Sequence, residues 1–170
     1  MERIERAVSN SGPLIHLTQI KSFNVLGIIK RIYIPQEVFD EVCSFGLPGK
    51  KEVRESKLIK VKDLHPQSKD LAKLISERYS LGLGEAASLA LAKQENIDLF
   101  LTDDLAARIV AKRLRIRPHG TIGIILKAFR LGIVNKETTL KMIKDLHTTS
   151  SLFLTSELVR YILKEVEKSH

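Results

Sequence analysis

The 170-residue chain has one cysteine, Cys43, no tryptophan, and aromatic residues at only 5% of its length. A single thiol excludes an intramolecular disulfide and every cysteine-cluster metal site, and fits a reducing cytoplasm. The scarcity of aromatics gives little sign of a platform for stacking single-stranded bases. No apolar run approaches the ~20 residues that cross a bilayer, so no membrane partner is expected. Met1-Glu2-Arg3-Ile4-Glu5-Arg6 lacks the apolar core of a signal peptide. His16, His65, His119, His147 and His170 show no paired metal-ligand spacing and read as surface or core residues, His119 least so because it adjoins a basic run. No G-x-G-x-x-G follows the first strand candidate, which disfavours a dinucleotide site.

Charge of one sign is abundant. Lys plus Arg number 28 against 20 Asp plus Glu, and the resulting formal charge of +8 favours a polyanionic partner. The most informative stretch is Leu99 to Arg108, L-F-L-T-D-D-L-A-A-R, an apolar run that ends in two adjacent aspartates before a helical pattern begins. It reads as a buried strand with charge at its carboxyl end, where open α/β sheets keep their sites. Asp104 can cap the following helix, whose apolar positions Leu105, Ile109 and Val110 are expected on one face with Arg108 and Lys112 turned away. A cap needs one aspartate, and the pair supplies two.

The rest of the chain alternates short strands with helices, which predicts a parallel sheet. Arg6–Asn10, Arg31–Ile34 and Leu58–Val61 read as strands beside Leu99–Leu101, and Leu114–Arg117 as a further one. Helical spacing follows Ser11-Gly12-Pro13, follows Pro35 with the stripe Val38, Phe39 and Val42, and runs from Gln67 to Tyr79. Residues 46–57 read as a loop leading into a helical or irregular segment. Glu85 opens a small-residue helix, Ala86, Ala87, Leu89, Ala90, Leu91 and Ala92, suited to close packing on a sheet. Ile124–Arg130, Asn135–Leu146 and Ser156–Glu167 complete the helical segments, and Cys43, beside Val42, reads as a buried small hydrophobe.

Strand ends and helix starts thus offer Asn10, Glu41, Glu85, Asp103 and Asp104 from widely separated parts of the chain. Each has an ordinary role by itself: Asn10 as a turn former, Glu41 as a surface charge, Glu85 as a favourable charge at a helix start. In a parallel sheet these positions can converge on one cleft. Clustered carboxylates are tolerable only if some are protonated or a cation lies between them, and hard oxygen ligands favour Mg²⁺ or Mn²⁺. Lys112, Arg113, Arg115 and Arg117 crowd beside the central stretch and could track a phosphate backbone, or form a solvated helix end.

The segments V-S-N-S-G-P-L-I, I-P-Q-E-V-F-D-E-V, G-L-G-E-A-A-S-L-A-L-A and L-T-D-D-L-A-A-R-I-V-A, in this order and followed by G-T-I-G, resemble the PIN domain, in particular a prokaryotic VapC-like subgroup. The resemblance spans essentially the whole chain. It implies one PIN-like domain over residues 1–170, a three-layer α/β fold with a central parallel sheet of about four to five strands flanked by helices, and a C-terminal helical extension over 135–170. It further implies a Mg²⁺- or Mn²⁺-dependent ribonuclease acting on RNA, a small antitoxin protein as partner in a type II toxin–antitoxin pair, and a homodimer. Carried over by position, the family's first acid falls on Asn10, with Ser11 as hydroxyl neighbour. The second falls on Glu41, the third on Glu85, and the fourth on Asp103 with Asp104 as alternative, while Thr102 orients the metal shell. The sequence departs from the pattern at Asn10, where an amide replaces a carboxylate. A catalytically impaired PIN module that binds RNA or a protein partner is therefore the rival reading.

Overall fold

The computed structural model describes residues 3–44 and 46–169; His170 lies outside them, as do the first two residues of the N-terminal stretch. Five parallel strands form one sheet in the order β3-β2-β1-β4-β5, with β1 Ile4–Ser9, β2 Ile29–Pro35, β3 Ile59–Lys62, β4 Leu99–Leu101 and β5 Arg117–His119. The helices are α1 Ser11–Gln19, α2 Gln36–Cys43, α3 Lys50–Glu55, α4 Pro66–Tyr79, α5 Leu83–Gln94, α6 Leu105–Arg113, α7 Thr121–Arg130, α8 Lys136–Thr148 and α9 Ser156–Lys168, with a short 3₁₀ turn at Phe23–Ile28. None of them is long and apolar enough to cross a membrane.

Alternation along the strands builds the layers. Ala7, Ile32, Ile34, Leu99 and Leu101 face one core, shared with residues of α1, α2, α7, α8 and α9. Val8 and Phe100 face the other, with α4, α5 and α6. Phe100 is fully buried, and truncating it to Ala would cost roughly 3–5 kcal/mol. The small residues Ala86, Ala87, Ala90 and Ala92 of α5 are buried and allow the close approach to the sheet that their pattern predicts. Met142, Ile143, Val159 and Ile162 of the last two helices belong to the first core, so residues 136–168 pack into it.

Three local expectations are corrected. Leu114–Arg117 is not a strand, because α6 ends in a left-handed cap: Arg115 has φ +60°, its N–H donates to Lys112 O at 3.1 Å, and Ile116 N–H donates to Ala111 O at 2.9 Å. That cap consumes 114–116 and β5 starts at Arg117. The inward face of α6 is Ala107, Val110 and Ala111, whereas Leu105 and Ile109 are 76% and 57% exposed. Val110 keeps its expected inward place, and Ala107 and Ala111 take the other two positions. Cys43 is only half-buried.

Candidate active site

The order in which the parallel strands succeed one another reverses between β1 and β4: β1 leads to β2 on one side, and β4 leads to β5 on the other. Ligands of open α/β proteins bind in the crevice beyond the carboxyl ends of such neighbours. Ser9 is in register with Leu101, and Leu101 with His119. Backbone bonds continue past the strands, Asn10 N–H to Leu101 O at 3.1 Å and Thr102 N–H to His119 O at 2.9 Å. Asn10, Thr102 and Gly120 therefore stand level at one edge of the sheet.

Asn10 is only 3% exposed. Its Nδ2 donates to Thr102 Oγ1 at 2.7 Å, and the same hydroxyl oxygen accepts Asp104 N–H at 3.2 Å. Asn10 Oδ1 is buried without a hydrogen-bond partner, one of two such side-chain atoms among the described residues, the other being His119 Nδ1. An unsatisfied buried acceptor costs about 1–3 kcal/mol.

The two aspartates are divided by their bonds. Asp103, with its side chain 10% exposed, accepts from His16 Nδ1 at 2.7 Å, from Thr121 N–H at 2.7 Å and from Thr121 Oγ1 at 2.5 Å. Burial works against its charge, but the bonds from His16 and Thr121 outweigh it and hold the carboxyl below its ordinary range. Asp104 caps α6, its Oδ1 accepting Ala107 N–H at 2.7 Å, and stays exposed to solvent. Burial pushes the Glu85 carboxyl above its ordinary range; its own backbone N–H opposes this, and the charges of Glu41 and Asp104 add to the rise. Glu85, Glu41 and Asp104 thus share one field. Glu41 accepts Ser11 Oγ at 2.9 Å.

Helix starts and glycines make this crowding possible. Asp104 sits on the N-terminus of α6 and Asp103 on that of α7, while Glu41 Oε2 lies 3.0 Å from where a Cβ of Gly84 would be, on the first turn of α5. Positive helix ends stabilise such carboxylates. A Cβ at Gly82 would stand 2.5 Å from Glu85 Oε2, and one at Gly120 would stand 2.8 Å from Asp103 Oδ1. The G-L-G-E segment is therefore cut to the carboxylates it touches.

Not every residue singled out from the sequence is here. Arg108 is beside the acids, its Nη1 donating to Thr102 O at 3.2 Å, and so is not turned away. Lys112 and Arg113 close the far end of α6, Arg115 lines a cavity with Asn96 and Asp98, and Arg117 pairs with Asp98 at 3.0 Å. Asp98 immediately precedes β4, so this basic run belongs to the amino ends of the strands, the opposite rim from the acids. His16, read from the sequence as a surface or core residue, is instead bound to Asp103, and Thr121 was not among the residues expected at the site. The signal available was weak, a histidine in the helix that Asn10 opens and a threonine at the start of the helix after β5.

Among the described residues no three His, Cys, Asp or Glu side chains are placed to hold a metal ion by themselves. The donor set nevertheless has the chemistry a hard divalent cation takes: an orphaned amide oxygen at the end of β1, the Glu41 and Asp104 carboxylates, and Glu85, whose ionisation burial and those two charges oppose, with no soft ligand in the group.

A parallel α/β sheet with an acid-lined crevice at its reversal point defines the class. A sequence-family model described as PIN domain matches residues 6–168, and the chain belongs to that family. The PIN domain is a nuclease fold that generally uses divalent metals and suggests RNA as substrate. No curated protein matches the sequence.

Proposed function

We propose that this protein is a divalent-metal-dependent ribonuclease whose centre comprises Asn10, Glu41, Glu85 and Asp104. The observation that carries this reading is the buried, partnerless Asn10 Oδ1 at the end of β1, where Ser11 holds Glu41 and the first turns of α5 bring Glu85, whose ionisation burial and the charges of Glu41 and Asp104 oppose. These four side chains would hold Mg²⁺ or Mn²⁺. When bound, such an ion lowers the pKa of an attacking water and offsets charge developing on the phosphoryl oxygens. Thr102 fixes the Asn10 amide so that its nitrogen is occupied and its oxygen stays free. Ser11 orients Glu41, and Arg108 offers a guanidinium to the RNA phosphate next to the acids. Asp103 serves as a brace, joining α1 to the start of α7 through His16 and Thr121. Lys112, Arg113, Arg115 and Arg117, on the other rim, act in long-range attraction of the polyanion. The biological setting we propose is a homodimeric, cytoplasmic toxin restrained by a small antitoxin.

RNA cleavage with Mn²⁺ by the purified protein, beside Asn10→Asp, Glu85→Gln and a chelated blank, tests the reading. Metal-dependent cutting that rises in Asn10→Asp and disappears in Glu85→Gln is the expected result. The amide at position 10 favours a second reading, a PIN module that binds RNA or protein without cutting. Binding of RNA with no cleavage by any variant would establish that one instead.

A further inference from the structure

A mostly apolar cavity of about 680 Å³ lies beyond the carboxyl ends of β4 and β5, bounded by Asp103, Leu105, Arg108, Gly120, Phe153 and Leu158 among others. That volume lies within the roughly 300–1,000 Å³ of pockets that receive small organic groups. Phe153 is 88% exposed, yet its backbone is held. Leu152 and Leu154 on either side pack against the core, so alternation along this extended segment turns Phe153 outward. Just before it, Ser151 N–H and Oγ both donate to Gln19 Oε1, at 2.8 and 3.0 Å. A large apolar ring is thereby presented to water in a cavity that reaches Arg108 and Asp103, the chain neighbour of Asp104.

Resting on the ribonuclease reading for the direction of the strand, we propose that this cavity takes an unpaired nucleobase of single-stranded RNA, stacked on Phe153, beside the phosphate at the acids. Charge favours this occupant. Arg108 lines the cavity on the side of Asp103, and apolar side chains with Phe153 line most of the rest. A guanidinium at one end of an apolar floor with one exposed ring matches a strand that brings phosphate and base together. Aromatics are scarce in this chain, and the tertiary structure puts one of them where a base would need it.

The chain has no tryptophan, so Phe153→Trp places a single indole at the cavity mouth. In a Glu85→Gln background, which keeps the strand uncut, a single-stranded ten-nucleotide RNA is titrated against Phe153→Trp, Phe153→Ala and the parent, with inorganic polyphosphate as a polyanion without bases. We expect RNA to quench the indole and polyphosphate to leave it unchanged. Phe153→Ala should weaken RNA binding about 5- to 150-fold, the size of one lost base–aromatic stack. Its polyphosphate binding should not change. Equal RNA affinity for Phe153→Ala and the parent, with an indole indifferent to RNA, overturns the proposal. The same result together with loss of a protein partner by Phe153→Ala overturns it in favour of a protein-docking face. Base stacking without cleavage in the Glu85-containing protein would sink the ribonuclease reading alone, whereas cleavage indifferent to residue 153 would sink this one alone.

Discussion

Asn10 and Thr102, 92 residues apart, are joined by an amide-to-hydroxyl hydrogen bond of 2.7 Å that leaves Asn10 Oδ1 buried and unpaired. The bond fixes which atom of the amide remains available. An aspartate would fit the same place, because the Thr102 hydroxyl can rotate to donate to a carboxylate. Asn10→Asp should therefore fold as the parent does, lose thermal stability in chelator by adding charge to a crowded field, and regain it with Mn²⁺. Melting curves with and without metal check this; a variant equally stable in both conditions would remove position 10 from the metal set.

Asp103 is expected to matter for the fold at neutral pH. Asp103→Asn loses charge-assisted bonds to His16 and Thr121, at a cost of about 1–3 kcal/mol. The carboxyl is held below its ordinary range, so its contribution is complete above the unfolded-state value, roughly 3.9, and fades as pH falls through the lower folded-state value. Denaturant titrations from pH 7 downward should show the gap between parent and variant closing only on the acid side. A gap independent of pH would mean the bonds do not depend on the charge.

Glu85 should show the opposite sign. Its folded-state value is raised, so the metal-free protein loses stability as pH rises from the ordinary glutamate value through that higher one. In chelator at pH 7.5, Glu85→Gln should melt above the parent, and the advantage should vanish near pH 4. With Mn²⁺ the order should reverse, because only the parent keeps the ligand. Identical melting of the two proteins across pH would place Glu85 outside the shared field.

Gly120→Ala tests the fit of the turn between β5 and α7. The new Cβ would meet Asp103 Oδ1 at 2.8 Å and Arg108 Nη1 at 3.0 Å, and Asp103 is tied by three bonds and cannot swing aside. A loss of roughly 1–3 kcal/mol is expected from such overpacking. Cleavage should fall with it, as the brace and Arg108 shift together. Wild-type stability and activity would show that the turn yields at no cost.

The alternation of strands and helices, the buried small-residue face of α5, and the polar side chains at strand ends are all written in local pattern, because periodicity and turn residues act within a few positions of one another. The sequence by itself did not determine how α6 is rotated about its axis: the pattern favours Leu105, Ile109 and Val110 inward, and the fold keeps Val110 but buries Ala107 and Ala111 in place of the other two. Nor did it divide the two aspartates. Asp103 is claimed by His16, 87 residues away, and by Thr121, while Asp104 is left toward Glu41 and Glu85. The same holds for the basic run, close to the acids in the chain and at the other rim of the sheet in space, since α6 carries it from one end of the strands to the other. Local chemistry writes the elements, whereas register, helix rotation and long-range hydrogen bonds exist only once the sheet has assembled, and those decide which atoms meet.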